Sequence, residues 1–227
     1  MDINGPLFKG ELNVEEAAIG LDLAIQNANR LLADAEILYA AESYASAITL
    51  AVLSIEEAGK AGVIRGILRA KDPVQLKKAW REFRSHNSKS ILWIVPHMAM
   101  TGEPETFGDF AGLSTSNHPQ VLDRVKQLAT YTECLEGSMW ADPKSIGGKD
   151  VAEYVLFSAR FLAAQPAESQ RGLELWLETV KHDAATVEEA EDSMVELYAR
   201  LQAEGLRPPG PNKVQKYRST KRPGNEA

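Results

Sequence analysis

The amino-acid sequence predicts an all-α fold, a bundle of about five to seven helices followed by a flexible C-terminal tail. Three observations predict it. Apolar residues recur at spacings of three and four through most of the chain, and no stretch alternates apolar and polar residues as a half-buried strand does. Several of these periodic stretches open on a capping signature. Residues 205–227 carry no apolar periodicity and are rich in Pro, Gly and basic residues, a composition that buries too little to order itself.

The first helix is predicted over residues 14–41. Asn13 with Glu16 forms a capping box, and Val14, Ala18, Leu21, Ile25, Ala28, Leu32 and Ala35 make its apolar face. A second helix, 44–70, starts at Ser43 with Tyr44, Ile48, Ala51, Ile55 and Ala58 on one face. It carries Gly59, Gly62 and Gly66, each less favourable than Ala in a helix by about 1 kcal/mol. Three such residues imply very close packing. Asp72-Pro73-Val74-Gln75 opens a third helix, which is expected to run to Val95 and stop before Pro96. Residues 101–118 read as a long loop. A fourth helix is expected over 119–135, then an irregular stretch from Gly137 to Gly148. A fifth opens with Asp150 and Glu153 and ends before Pro166. A sixth runs from Pro166 to Lys181, and Thr186 with Glu189 restarts or continues it as far as the Gly205 cap.

The chain has 227 residues and a net charge of −7. That mean describes neither part. Residues 205–227 hold Arg207, Lys213, Lys216, Arg218, Lys221 and Arg222 against Glu226, which leaves a strongly acidic body over 1–204. Such a body excludes loose, sequence-blind RNA binding. The single Cys134 excludes an internal disulfide framework. The most apolar run, Ile91–Met100, is too short to span a membrane and contains Pro96 and His97. The N-terminus has no basic segment leading into an apolar run. The expectation is a cytoplasmic protein with no membrane association.

Common catalytic motifs are missing. The four histidines, His86, His97, His118 and His182, are scattered, and there is no HExxH, CxxC or phosphate-binding glycine loop. No metal or cofactor is expected. Two segments retain chemical interest. In Ile55–Lys60, Glu57 shares a stripe with Leu50, Leu53 and Ile64, so it is expected to be buried and to need a partner. Glu56 and Lys60 are four apart, which suits an exposed ion pair as well as a site role. In Trp80–Lys89, a continuous helix places Glu82, His86 and Lys89 on one face. A histidine beside cations can act as acid or base near neutral pH. Arg81 and Lys89 are suited to phosphate oxygens. The plainer alternative is a solvated helix face.

Together the segments "ANRLLADAEIL", "YASAITLAVLSIEEAGKA" and "FRSHNSKS" resemble the AbiV-like family of abortive-infection proteins, within the HEPN superfamily. Ala47, Leu50, Ala51, Leu53, Glu56, Glu57, Gly59 and Lys60 match one family pattern, and His86 with Lys89 matches H-x-x-K. Lys126-Gln127-Leu128 and Trp140-Ala141-Asp142-Pro143 are similar to a later family segment. The resemblance covers about residues 15–165. It implies a HEPN-like all-helical domain over 1–204 and a basic flexible tail over 205–227. It also implies a phage-defence effector whose ribonuclease signature, Arg followed after four residues by His, falls on Arg81 and His86. In that role His86 is the general acid or base and Arg81 stabilises the pentavalent phosphorus. Glu56, Glu57, Lys60 and Lys89 support the site, and Arg84 is a candidate RNA contact. The implied partners are a second copy of the chain in a homodimer, RNA, and a phage-encoded trigger or regulatory protein.

Five residues of helix turn through about 500°, so Arg81 and His86 point about 140° apart on a straight helix. Their convergence requires a distorted helix or a second subunit. The acidic body, with Glu82 directly after Arg81, motivates an alternative: a non-catalytic helical module acting through a protein or RNA partner.

Overall fold

The computed structural model describes residues 5–101, 116–166, 168–212 and 215. Among these residues it holds ten helices and one two-stranded hairpin. The architecture is all-α, as the periodicity predicts. The helices fall into two compact units, residues 1–97 with 116–167, and residues 98–115 with 168–227. Most of the predicted loop at 101–118, and the tail beyond residue 212 except 215, lie outside the described residues.

The first unit is built on two long helices, α1 (Val14–Ala40) and α2 (Tyr44–Leu68). The predicted capping box is present. The Asn13 side chain accepts from the Glu16 amide, and the Asn13 amide donates to the Glu16 carboxylate, both at 2.9 Å. Small residues such as Ala17, Ala28 and Ala35 are fully buried on α1 and let α2 approach closely. α2 is buried on most of its faces, because α1, α3, α4, α6 and α8 all pack on it. Ile48, Ala51, Val52 and Ile55 have no exposure. Each buried Ile contributes about 1.5–3 kcal/mol. Ser54, also fully buried, donates to the Ala28 carbonyl at 2.7 Å, so the core leaves this hydroxyl satisfied.

The predicted third helix is not continuous. α3 (Pro73–Arg84) starts as expected, with Asp72 accepting from the amides of Val74 and Gln75. It ends at Ser85, whose extended backbone (φ −83°, ψ 127°) both closes α3 and caps the short α4 (His86–Lys89). Glu82, His86 and Lys89 therefore do not share one helix face. Pro96 does not end a helix either. It lies in the first turn of α5 (Val95–Thr101), where its missing N–H costs nothing.

α6 (His118–Thr130) stops earlier than expected. The residues beyond it form a hairpin, β1 (Glu133–Leu135) antiparallel to β2 (Met139–Ala141), with Cys134 opposite Trp140. The sequence contains no alternation long enough to announce these three-residue strands. Gly137 (φ 78°) and Ser138 (φ 61°) make the turn. α7 (Pro143–Ile146) and α8 (Lys149–Ala163) complete the unit. α8 buries Ala152, Leu156 and Ala159 against the core of α1 and α2.

The second unit contains α9 (Gln170–Thr179) and α10 (Val187–Ala203), so Thr186 restarts a helix and does not continue one. Leu175, Leu197 and Leu201 form its core, and Arg171 binds Glu204 through two bonds of 2.7 and 2.8 Å. Gly205 (φ 72°) ends α10. Its amide reaches the Gln202 carbonyl and the Leu206 amide reaches the Leu201 carbonyl, the double bond of a Schellman cap.

The α1–α2 corner contains one residue in the left-handed region, Glu42 at φ 59°. A side chain there is strained, and glycine relieves the strain at some cost in chain entropy. Glu42→Gly is expected to stabilise the protein by about 0.5–1 kcal/mol, read as a higher urea midpoint. A lower midpoint would show that the Glu42 side chain contributes more than the strain it causes.

Candidate functional site

The four histidines differ sharply in setting. His118 is buried, with Nε2 at 2.7 Å from the Ile91 carbonyl and Nδ1 bonded to Ser116. His97 lies parallel to the Tyr154 ring at 3.5 Å and bonds Ser158 at 2.9 Å. Burial, opposed by the bond to the Tyr154 carbonyl, holds the His97 pKa below its usual value. His182 packs on Trp176. His86 presents its ring on the surface beside a carboxylate. Its side chain is 54% exposed, and Nδ1 stands 2.6 Å from Glu56 Oε2.

Glu56 is the centre of this cluster. It is 3% exposed. Its second oxygen, Oε1, accepts from Lys126 Nζ at 2.7 Å, and the same ammonium pairs with Asp123 at 2.8 Å. Lys126 is itself buried at 6% exposure. Burial pulls the Lys126 pKa down, but the bonds to Asp123 and Glu56 outweigh it and hold the ammonium above its usual value. An ionised Glu56 is acceptor-only, so His86 Nδ1 carries the proton and donates it to Oε2. Nε2 is then left with a free lone pair when the ring is neutral, and it has no protein partner among the described residues. Glu56, His86 and Asp123 lie close enough to resemble a metal-ligand set. The Lys126 ammonium stands at bonding distance from two of the three, however, and meets their need for a cation.

The structure reverses the roles of the two glutamates. Glu57, expected to be buried, pairs with Lys60 at 2.6 Å with both side chains about one-fifth exposed. Glu56, expected to face Lys60, is the buried one. The reason is that α2 is enclosed on many sides, and only the Glu56 face meets a cation brought by α6. Glu57 and Lys60 instead line a cavity of about 380 Å³ with Trp80 and Phe83, and Lys60 lies 5.2 Å over the Phe83 ring. Lys89 is 8% exposed beside Glu56. Arg81 and Arg84 are exposed on α3, and Arg84 lies 5.9 Å over Trp80. Arg81 makes no ion pair among the described residues. Neither Lys126 nor Asp123 is among the site residues expected from sequence: Lys126 stands there only within a segment similar to the family, and Asp123 has no signal beyond its three-residue spacing from Lys126 on α6.

Gly59 explains the glycine of E-E-x-G-K. A Cβ there would overlap the Lys89 carbonyl oxygen, so α4 rests directly on the α2 backbone. Gly62 and Gly66, also expected to pack closely, have no heavy atom within 4 Å of a Cβ position. They border an open groove. Gly59→Ala is expected to destabilise the protein by about 1–3 kcal/mol, read by denaturant titration, and to displace His86 from Glu56. An unchanged midpoint would mean that α4 does not rest on Gly59.

No curated protein and no solved structure matches the chain. A family model, HEPN_AbiV, described as AbiV, matches residues 16–163. The match begins in the first turn of α1, ends at the last residue of α8, and contains Glu56, Gly59, Arg81, His86, Lys89 and Lys126. A match of this extent, over the helices that assemble the Glu56 cluster, establishes that the chain belongs to the AbiV family of HEPN-type abortive-infection proteins.

Proposed function

We propose that this protein is a ribonuclease of the HEPN type that arrests growth or translation by cutting RNA, with His86 as its acid–base residue. The single observation that carries the reading is the His86–Glu56 bond of 2.6 Å on a ring that is 54% exposed. It holds the tautomer whose Nε2 keeps a free lone pair. RNA supplies its own nucleophile. His86 Nε2 takes the proton of a ribose 2′-OH, and the 2′-oxygen attacks the adjacent phosphorus. The bond from phosphorus to the 5′-oxygen breaks, and a protonated histidine gives that oxygen its proton. The products are a 2′,3′-cyclic phosphate and a 5′-hydroxyl. In a symmetric homodimer the partner subunit's His86 is the second histidine. Arg81, exposed and unpaired among the described residues, neutralises charge on the pentavalent phosphorus.

Glu56 keeps the ring oriented, and Lys126 holds the other oxygen of Glu56 at 2.7 Å. His86→Ala is expected to lower RNA cleavage by about 10²–10⁴-fold while the far-ultraviolet circular dichroism stays helical. Undiminished cleavage by this variant would sink the assignment. Lys126→Met leaves a buried carboxylate with one partner fewer, and is expected to cost about 3–5 kcal/mol of stability as well as activity. The Lys126 contribution to stability is fully present below pH 10.5 and is lost as pH rises through its raised folded value. Alkaline unfolding that is identical in wild type and Lys126→Met would contradict the bonding described above.

A second reading, a non-catalytic module that grips a protein or RNA partner, is favoured by one feature. Tyr131, Met139 and Trp140, at and beside the hairpin, are 60%, 63% and 72% exposed, an apolar display without an internal role. Growth arrest that persists in His86→Ala and is lost in Trp140→Ala would select this reading.

A further inference from the structure

Lys89 is 8% exposed, yet it makes no hydrogen bond or ion pair among the described residues. Lysine is almost never buried without a partner, because desolvating an ammonium is costly. Its neighbours do not balance it. Glu56 and Glu57 attract it, while Lys60 and Lys126 repel it. The acids nearby are already engaged, Glu56 by His86 and Lys126, Asp123 by Lys126, and Glu57 by Lys60. Burial is the main cause that holds the Lys89 pKa below its usual value, ahead of the opposing pull of Glu56.

Lys89 also lines a groove of about 310 Å³ with Ser88, Gly59, Gly62, Gly66 and Glu82. The absence of side chains at Gly62 and Gly66 leaves the α2 backbone open to a ligand on that side. We propose that this groove is a phosphate subsite, in which a phosphodiester of an RNA strand supplies the counter-charge that Lys89 lacks. The proposal rests on the ribonuclease reading for its ligand, and it adds the place where the strand is held beside His86. Lys89 contributes a point charge and Ser88 a hydroxyl donor. Glu82, paired only loosely with Lys78 at 3.8 Å, opposes the anion from the groove's rim and limits its affinity.

A charge retained at a cost to stability gives the proposal a double signature. Lys89→Met fills the same space without the charge, so the variant is expected to melt at a higher temperature than wild type near neutral pH in the absence of ligand. Inorganic phosphate and a 2′-O-methyl RNA oligonucleotide, which cannot be cut, are expected to raise the melting temperature of wild type and of His86→Ala, but not of Lys89→Met. Oligonucleotide affinity is expected to fall about tenfold in Lys89→Met, to be kept in Lys89→Arg and to rise in Glu82→Gln. Equal ligand shifts in wild type and Lys89→Met overturn the subsite. So does a Lys89→Met protein less stable than wild type without ligand, because the ammonium is then already paired. A shift with phosphate and none with the oligonucleotide overturns the assignment to a strand. Because these measurements read binding, the subsite fails while RNA cleavage by wild type stands, and cleavage by His86→Ala tests the chemistry separately.

Discussion

A carboxylate inside a helical core is the constraint on which the site depends. Glu56 sits on a helix enclosed on many sides, at 3% exposure, where an unpaired charge would cost several kcal/mol. The fold therefore has to deliver partners to it. α6 delivers Lys126, and α4 delivers His86. Both partners come from segments far away in sequence, so one side chain ties three elements together. The same arrangement that satisfies the charge also holds His86 Nδ1 at 2.6 Å from Glu56 and leaves the ring largely exposed. The contacts that satisfy Glu56 are the ones on which the proposed chemistry relies.

The second constraint is steric. The break at Ser85 turns the chain so that α4 crosses α2, and Gly59 lets the two backbones meet. Without the break, His86 would continue the exposed face of α3. Without the glycine, Lys89 and its carbonyl could not lie against α2. The E-E-x-G-K segment thus carries three separate functions in five residues. Glu56 anchors the histidine, Gly59 admits α4, and Glu57 with Lys60 closes the floor of the neighbouring apolar cavity.

Charge acts locally in this protein. A net charge of −7 speaks against binding nucleic acid over a broad surface. Around Glu56 the balance differs, because two buried lysines and a histidine face carboxylates that are already engaged. Exposed Arg81 and Arg84 stand nearby in sequence on α3. A small cationic focus in an acidic body favours a ligand that is held at one place over one held along its length.

The sequence by itself determined the helices. Periods of three and four residues, the Asn13 box, the Asp72-Pro73 start and the Gly205 cap are local signals, and each acts through bonds within a turn or two of itself. It also determined the family, because the E-E-x-G-K and R-x4-H-x-x-K spacings are local too. Tertiary structure alone decided which glutamate is buried, that Lys126 and Asp123 join the site, and that Ser85 divides a periodic stretch into two helices. Helical periodicity can say that a residue faces inward, but not what waits there. The identity of Glu56's partners depends on contacts 30 and 70 residues away, and long-range packing is not written in any window of sequence.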